Sequence, residues 1–574
     1  MQTTDATALP ETGAAQTGVR WPWLKTYREM GVDWHTVPPV PDKTLSDYLR
    51  DHATQFPERE ALVFMGQGLT YRELDARIER MAALLTAQGC RKGDVLGLHL
   101  PNMPQYVVAF GAAARLGMVC TSISPLMTPT EVAHQGNDAR VRVLLTLQPL
   151  WEQVIQHAAG DMRSLDTVLV SGPGDYLGAP FTGFSTSLGS VRVLSLADQM
   201  QQPGDARPPA RLGIDDVLYL QYTGGTTGAP KGARLTSRNL FTNNIQADVF
   251  YGYRLGQETV ASAFPLFHIG GAAVLFNALR TASTFLLIPD PRDIAHFVGE
   301  MQKRTPTIIA AVPALYQMLC QHDGFRRLDF SGLRMAVSGA APFAREEIER
   351  LASIIGENKF CEVYGMTETS PVQTLNPAQR FKPGSVGVPL PGTRVRIVDT
   401  ETDREMPPGE PGEVTVSGPQ VMQGYLAMPD ATADALREHD GQLWMHTGDI
   451  GYLDDDGYLT ICDRSKDMLI VGGYKVFSVE VENTVQALPR VALCAVVGRP
   501  DTQRPGNDIV QLYVQPMPDP IKGAAANDEA LRNELMARCR ERLSPYKVPR
   551  EIFIVEAIPL TSVGKIDKKA LRKH

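Results

Sequence analysis

The sequence predicts an α/β protein. A large N-terminal body of mainly parallel sheets carries a small β module, and a small mobile C-terminal α+β lid follows. Three observations lead there. Short strand-like apolar runs alternate with helical segments through the N-terminal part, the texture of parallel sheets with helical crossovers. After about Val386 the texture changes to short runs, 395–398 and 413–416, separated by Pro/Gly-rich turns such as Pro407-Pro408-Gly409. Beyond these the chain alternates again, with strand-like runs at 495–497 and 511–514 and a helical stretch at 528–543. A chain of 574 residues exceeds what one core usually supports. The expected organisation is a disordered tail at 1–19, a body at 20–463 and a lid at 464–574.

The elements follow from local signals. Thr70 and Glu73 form a capping box, and Leu74, Ile78, Met81 and Leu85 repeat at helical spacing, with Gly89 as the stop. A strand is expected at 95–100 and a helix at 105–116. Further strand-like runs fall at 141–147, 168–170, 191–196, 285–288, 308–312 and 335–337. Asp456-Gly457, between Tyr452-Leu453 and Tyr458-Leu459, is a hairpin signal.

Composition narrows the function. Hydrophobic residues make up 43% and charged residues 21%, ordinary for a globular enzyme. The formal charge of -8 argues against a nucleic-acid-binding surface. No apolar run reaches the length of a membrane span, and the first nineteen residues show neither a signal-peptide core nor an Arg-rich transit pattern. Seven scattered cysteines without C-x-x-C spacing suggest buried thiols in a reducing cytoplasm rather than disulfides or a metal site. Oligomeric state stays open, with a homodimer and peripheral membrane contact both compatible.

Chemistry collects around Tyr222 to Gly232. An apolar strand-like run, Val217 to Leu220, leads into Thr223, Gly224, Gly225, Thr226, Thr227 and Gly228, then Pro230 and Lys231. Glycines let backbone N–H groups approach an anion, threonines add donors, and Lys231 adds a mobile charge. The common P-loop differs, since it needs Gly before its Lys and Ser or Thr after it. A plain turn remains the alternative. Four other stretches stand out. His268, followed by Gly270 and Gly271, is either a satisfied core histidine or part of a cavity wall. Glu368, in Tyr364-Gly365-Met366-Thr367-Glu368, is either a surface residue or a Mg²⁺ ligand beside a phosphate site. Asp449 could accept from a ribose diol, and the charged run Asp463 to Asp467 is either functional or a solvated linker. Lys565, after Gly564, sits on a loop able to deliver it into a site.

Taken together and in order, these pieces resemble the adenylate-forming superfamily of acyl-CoA synthetases, adenylation domains and luciferases. The phosphate loop, YGMTE, HTGD, DRSKD and the terminal SVGK carry the resemblance, which runs from about residue 40 to the end. Within the superfamily the chain looks most like bacterial long-chain fatty-acid–CoA ligases, on QYTGGTTGAPKG, YGMTETSPVQTLNP, the segment 125–138 and RWPWLKTY. Gly224 stands where many members have Ser, and Gly506-Asn507-Asp508 departs from a usual Gly-Glu.

The resemblance implies roles. Thr223 to Thr227 and Lys231 cradle the pyrophosphate of ATP, with Gly228 in the same loop. Gly339, Ala340, Ala341, Pro342 and Tyr364 hold adenine. Thr367 touches the α-phosphate, and Glu368 holds Mg²⁺. Asp449 and Arg464 bind ribose, and Lys466 is the hinge. Lys565 bridges the substrate carboxylate and the α-phosphate. Gly472 and Gly473 line the thiol tunnel for coenzyme A. His268, Gly270, Gly271, Gly365 and Met366 face the carboxylic acid, and the run of small residues after His268 leaves depth for an apolar tail. The implied activity is ATP-dependent joining of a medium- or long-chain fatty acid to CoA through acyl-AMP. The alternatives are an aryl-acid (4-coumarate- or benzoate-like) or short-chain acid–CoA ligase and, more remotely, a non-catalytic nucleotide-binding protein. An amino-acid adenylation domain fits less well, because His268 stands where those domains usually carry an Asp.

Overall fold

The computed structural model describes residues 21–573 except 36, 203, 205–211, 224–229, 518–527 and 561–565. The tail at 1–19, Gly224 to Gly228 of the phosphate loop and Lys565 therefore lie outside the described residues.

Two large sheets carry the body. An eight-stranded sheet runs Lys231–Thr236, Val217–Thr223, Val119–Ser122, Val95–His99, Val141–Leu147, Thr167–Ser171, Val191–Ser195, Ser185–Leu188. Its inner pairs are parallel, and the pair at each edge is antiparallel. A nine-stranded sheet runs Val388–Pro389, Val372–Asn376, Phe360–Gly365, Met335–Gly339, Ile308–Ala311, Thr259–Ser262, Thr284–Leu287, Glu60–Phe64, Gln67–Thr70. It too is parallel in its middle and antiparallel at its ends. Parallel strands are covered on both faces, which is why they read as unbroken apolar runs. The helix Pro104–Leu116 is buried on every side, as an apolar-all-round helix must be. The helix Tyr71–Ala87 starts on the expected capping box, and Gly89 follows it at φ +78°. Most strands and helices read from the sequence recur with ends shifted by a residue or two, while the runs at 217–220, 495–497 and 511–514 lie within the longer strands Val217–Thr223, Val491–Pro500 and Asp508–Pro516.

By contact the chain divides into two compact units. The first is Met1–Arg394, Val416–Met445 and Asp456–Tyr458, and the second is Val395–Thr415, His446–Asp455 and Leu459–His574. This differs from a single boundary at 463/464. The strand Gln442–Leu453 pairs at its C-terminal end with Leu459–Arg464, which holds 446–455 in the second unit. Part of the β-rich texture thus groups with the C-terminal segment.

The hairpin signalled by Asp456-Gly457 is present: Gln442–Leu453 pairs antiparallel with Leu459–Arg464 across a five-residue connection. A Cβ on Gly457 would lie 2.1 Å from the backbone nitrogen of Trp23, and Lys25 Nζ pairs with Asp456 at 2.8 Å. The N-terminal tryptophans cluster there, Trp21–Trp23 at 5.0 Å and Trp23–Trp34 at 5.8 Å between rings.

In the second unit, Val491–Pro500 pairs antiparallel with Asp508–Pro516, which pairs parallel with Glu551–Ile554. Val496, Leu512 and Val514 pack there against Leu531, Leu535 and Cys539 of the helix Asp528–Arg542. All seven cysteines are free thiols, six buried and Cys462 half-buried. Among the described residues no helix is long and apolar enough to cross a membrane.

Candidate active site

The strands flanking the Gly/Thr loop form an antiparallel pair in which Thr223 faces Lys231 and Tyr222 faces Gly232. Register therefore fixes both ends of the loop. The Tyr222 hydroxyl donates to Asp138 Oδ2 at 2.5 Å, and burial, then the Asp138 carboxylate, keep the phenol protonated. Asp138 ends the segment 125–138, so one stretch that carried the resemblance anchors the strand leading into the loop.

Glu368 lies in the short turn Thr367–Thr369, packed against both flanking strands. The turn is tight. Met366 N donates to Pro371 O at 3.0 Å, and a Cβ on Gly365 would lie 1.9 Å from that same oxygen. Gly365 is thus required by the turn itself. Thr367 and Glu368 are 9% and 5% exposed. The segment 422–426 lies beside them: Leu426 N donates to Gly232 O at 2.8 Å, and Met422 N to Glu368 O at 2.8 Å. It brings in Tyr425, which sequence reasoning missed. The Tyr425 hydroxyl donates to Glu368 Oε1 at 2.7 Å, and its ring lies 4.9 Å from Lys231 Nζ. Burial, and next the Glu368 carboxylate, hold this phenol protonated, so it stays a donor.

Mg²⁺ fits this donor set. Among the described residues there is no cluster of three or more His, Cys, Asp or Glu side chains able to cage a metal. Mg²⁺ commonly needs none, binding through one or two carboxylates plus substrate phosphates. Glu368, on a turn against the strands Val217–Thr223 and Lys231–Thr236, is the carboxylate that would be offered there.

Gly339 ends the strand Met335–Gly339, and Tyr364 lies near the end of its parallel neighbour Phe360–Gly365, with Gly339 opposite Val363. The crevice outside the carboxyl ends of parallel strands is where open α/β sheets bind ligands. A Cβ on Gly339 would lie 2.7 Å from Val363 Cγ2, so glycine allows the close approach. Ala340, at φ +71°, turns the chain outward, leaving Ala340, Ala341 and Pro342 exposed. Two residues before Tyr364 lies another missed residue, Glu362. It is 6% exposed, and burial pushes its carboxyl up to about 7.

The loop before His268 is pinned by side chains from the other sheet and its helix. Asn102 donates to Phe264 O at 2.9 Å and accepts from Leu266 N at 2.7 Å. Tyr106 donates to Leu266 O at 2.8 Å, and Gln221 to Phe267 O at 3.1 Å. Gln221 Oε1 is buried without a hydrogen-bond partner among the described residues, two positions before Thr223. His268 caps the helix Ile269–Arg280, its Nδ1 accepting from Gly270 N at 3.2 Å, which leaves the neutral ring's proton on Nε2. A Cβ on Gly271 would lie 2.2 Å from Pro265 O, so glycine is required there for close backbone packing. Gly270 has ordinary clearance, 3.4 Å to His268 Nδ1, and with Val274 lies half-buried one turn apart.

In the second unit, Arg464 Nε pairs with Asp449 Oδ1 at 2.9 Å across paired strands. Asp463 is structural: it is buried and accepts from Ser478 N and from Ser478 Oγ at the start of the helix Ser478–Gln486. Lys466 sits in the turn after Arg464, its carbonyl accepting from Arg572 Nη2 at 3.3 Å. Gly472 and Gly473, at φ +62° and +84°, form the two-residue loop between Leu469–Val471 and Tyr474–Val476. Both angles are those of a type I′ hairpin, which favours Gly-Gly. The unusual Asn507-Asp508 holds this hairpin. Asn507 Oδ1 accepts from Gly472 N at 2.6 Å, and Asp508 Oδ2 from Ile470 N at 2.8 Å.

Within the first unit the structure thus brings Lys231 and Glu368 to Tyr425, with Thr223 opposite Lys231 and Thr367 beside Glu368. It places Tyr364 with Gly339 to Pro342 at neighbouring strand ends, and ties the His268 loop to the phosphate-loop strand through Gln221. Gln221 adjoins the Gly/Thr segment, whereas Tyr425 and Asn102 stand apart in sequence from every stretch singled out above and carried no signal.

Paired strands flanking a Gly/Thr-rich segment, neighbouring parallel strand ends and a buried acidic turn suit the class of adenylate-forming enzymes. The chain belongs to the AMP-binding enzyme family, whose model matches residues 49–426, with the C-terminal domain of the AMP-binding enzymes matching 480–565. It is 35% identical over 565 residues to the long-chain-fatty-acid–CoA ligase of Escherichia coli O6:H1, covering 93% of this chain and 95% of that one. Among solved structures it resembles the anthranilate CoA ligase AuaEII in complex with anthranoyl-AMP, at a TM-score of 0.79 and 26% identity, covering 93% of this chain and 98% of that one. It resembles ATP-bound MatB from Rhodopseudomonas palustris at the same TM-score, with 28% identity and coverage of 93% and 99%.

Proposed function

We propose that this chain is a cytoplasmic ATP-dependent acid–CoA ligase that activates a medium- or long-chain fatty acid through acyl-AMP. The observation that carries the reaction is the Lys231–Tyr425–Glu368 arrangement on the strands of the Gly/Thr loop. The likeness to long-chain-fatty-acid–CoA ligases along nearly the whole chain supports the substrate.

A carboxylate is a poor acyl donor because oxide is a poor leaving group. In the first step a carboxylate oxygen attacks the α-phosphorus of ATP, the bond to the β-phosphate oxygen breaks, and pyrophosphate leaves. Two anions must meet, so fixed positive charge and backbone donors have to offset their repulsion. Lys231 and the loop 224–229 take the pyrophosphate side. Thr367 reaches the α-phosphate, and Tyr364 with Gly339 to Pro342 receives adenine. Glu368 holds Mg²⁺, which when bound neutralises phosphate charge. Lys565 bridges carboxylate and α-phosphate, and Asp449 with Arg464 takes the ribose. In the second step the CoA sulfur attacks the acyl carbonyl, its proton leaves, and AMP departs. Gly472 and Gly473 line the thiol path after a lid movement about Lys466. The acid lies beside His268, along Gly270, Val274 and Met366.

A second reading, an aryl-acid ligase, draws on the likeness to the anthranilate CoA ligase structure. A panel of fatty and aryl acids with ATP, Mg²⁺ and CoA, read by AMP formation, tests both. Preference for fatty acids over every aryl acid is the expected result, and the reverse overturns the substrate assignment.

A further inference from the structure

We propose that Tyr425 is a positioning residue for ATP activation: its hydroxyl orients the Glu368 carboxylate while its ring seats the Lys231 ammonium, keeping cation and anion apart and aimed at the nucleotide. The inference rests on the ligase reading, and three observations carry it. One tyrosine touches both charged groups, through different parts of its side chain. The residue is 8% exposed, so both contacts form where charges interact strongly and unpaired polar groups are costly. Its backbone is fixed on several sides. Tyr425 bridges Ala233, Arg234 N donates to Gly424 O at 3.0 Å, and Tyr425 N donates to Thr432 Oγ1 at 3.0 Å. Gly424, at φ +126° and with Thr432 Cγ2 only 2.7 Å from where a Cβ would be, lets the chain enter this position.

The physical need is plain. A lysine and a glutamate on facing elements of a buried site are drawn into a direct pair, which would spend both charges before substrate arrives. A phenol between them satisfies each differently. Its O–H bonds the carboxylate and fixes its orientation, while its π face holds the ammonium by a weaker, non-directional attraction that a phosphate readily outcompetes.

Tyr425→Phe and Tyr425→Leu in the full chain separate the two contacts. Three readouts are needed: the Mg²⁺ concentration for half-maximal ATP–pyrophosphate exchange, calorimetric ATP binding with and without Mg²⁺, and the ligand-free melting temperature. Tyr425→Phe should raise the Mg²⁺ requirement about tenfold, in the range seen when a partner of a metal ligand is removed, and leave metal-free ATP binding unchanged. Tyr425→Leu should also weaken metal-free ATP binding about threefold, the scale of one lost cation–π contact. An unchanged Mg²⁺ midpoint in both variants overturns the inference. So does activity that falls only in step with melting temperature, which would make Tyr425 a structural brace. A wild-type chain that forms no acyl-AMP overturns the ligase reading as well.

Discussion

Glu362 shows what a single residue can hide. It sits on a strand whose neighbours read as apolar, and its letter gives no sign that burial raises its carboxyl from an ordinary 4.5 to about 7. Below the unfolded value both states are protonated, and the group contributes nothing. Between about 4.5 and 7 the unfolded chain ionises while the folded one resists, so stability falls as pH rises, and above that window the loss is complete. Glu362→Gln should therefore melt like wild type near the bottom of the window and be more stable at pH 8, by up to about 3 kcal/mol. Melting curves across that range check it, and parallel pH profiles for the two proteins would reject it. His268 is the converse case, a residue whose position was legible but whose local work was not. Its Nδ1 caps a helix, a task Asn performs well. His268→Asn should keep the melting temperature while His268→Ala lowers it. If both variants lose acid activation equally without a difference in melting, the ring serves the substrate and the cap is incidental.

At the scale of elements, periodicity and capping chemistry placed the helices and buried strands, because those signals are local. Thr70 with Glu73 is such a case. What local signals could not carry was tertiary packing. In the connection after Leu453 the backbone of Trp23 packs onto Gly457. The backbone of Pro265 packs as closely onto Gly271. Substitution with Trp should accordingly damage folding at Gly271, whereas Gly270→Leu should leave a folded enzyme that prefers shorter acids. An unchanged chain-length profile in Gly270→Leu would take the acyl tail away from this helix. The departure at Asn507-Asp508 acquires a reason only in three dimensions, where both side chains clamp the hairpin bearing Gly472 and Gly473. Replacing both with Ala should slow thioester formation from supplied acyl-AMP on the order of tenfold, as loosened positioning does, and spare adenylation. Equal loss in both half-reactions would mean a general fault in folding.

For the whole molecule, the order of motifs along the chain was the strongest signal, since each motif alone had an ordinary explanation. That order pointed to the family and to a large body followed by a smaller C-terminal domain before any coordinate. It could not give the division that keeps 446–455 with the C-terminal segment, which depends on how one long strand pairs at its end. Nor could it give Tyr425, which reaches the site through a segment distant in sequence from both groups it touches. The central claim is chemical: one chain makes an acyl adenylate and then passes the acyl group to CoA. The direct measurement is a single-turnover reaction with ATP, Mg²⁺ and a long-chain fatty acid, without CoA at first. Pyrophosphate and enzyme-bound acyl-AMP should appear, and added CoA should convert that intermediate to acyl-CoA and AMP. Release of ADP and phosphate instead, or no acyl-AMP before CoA is added, would contradict the account.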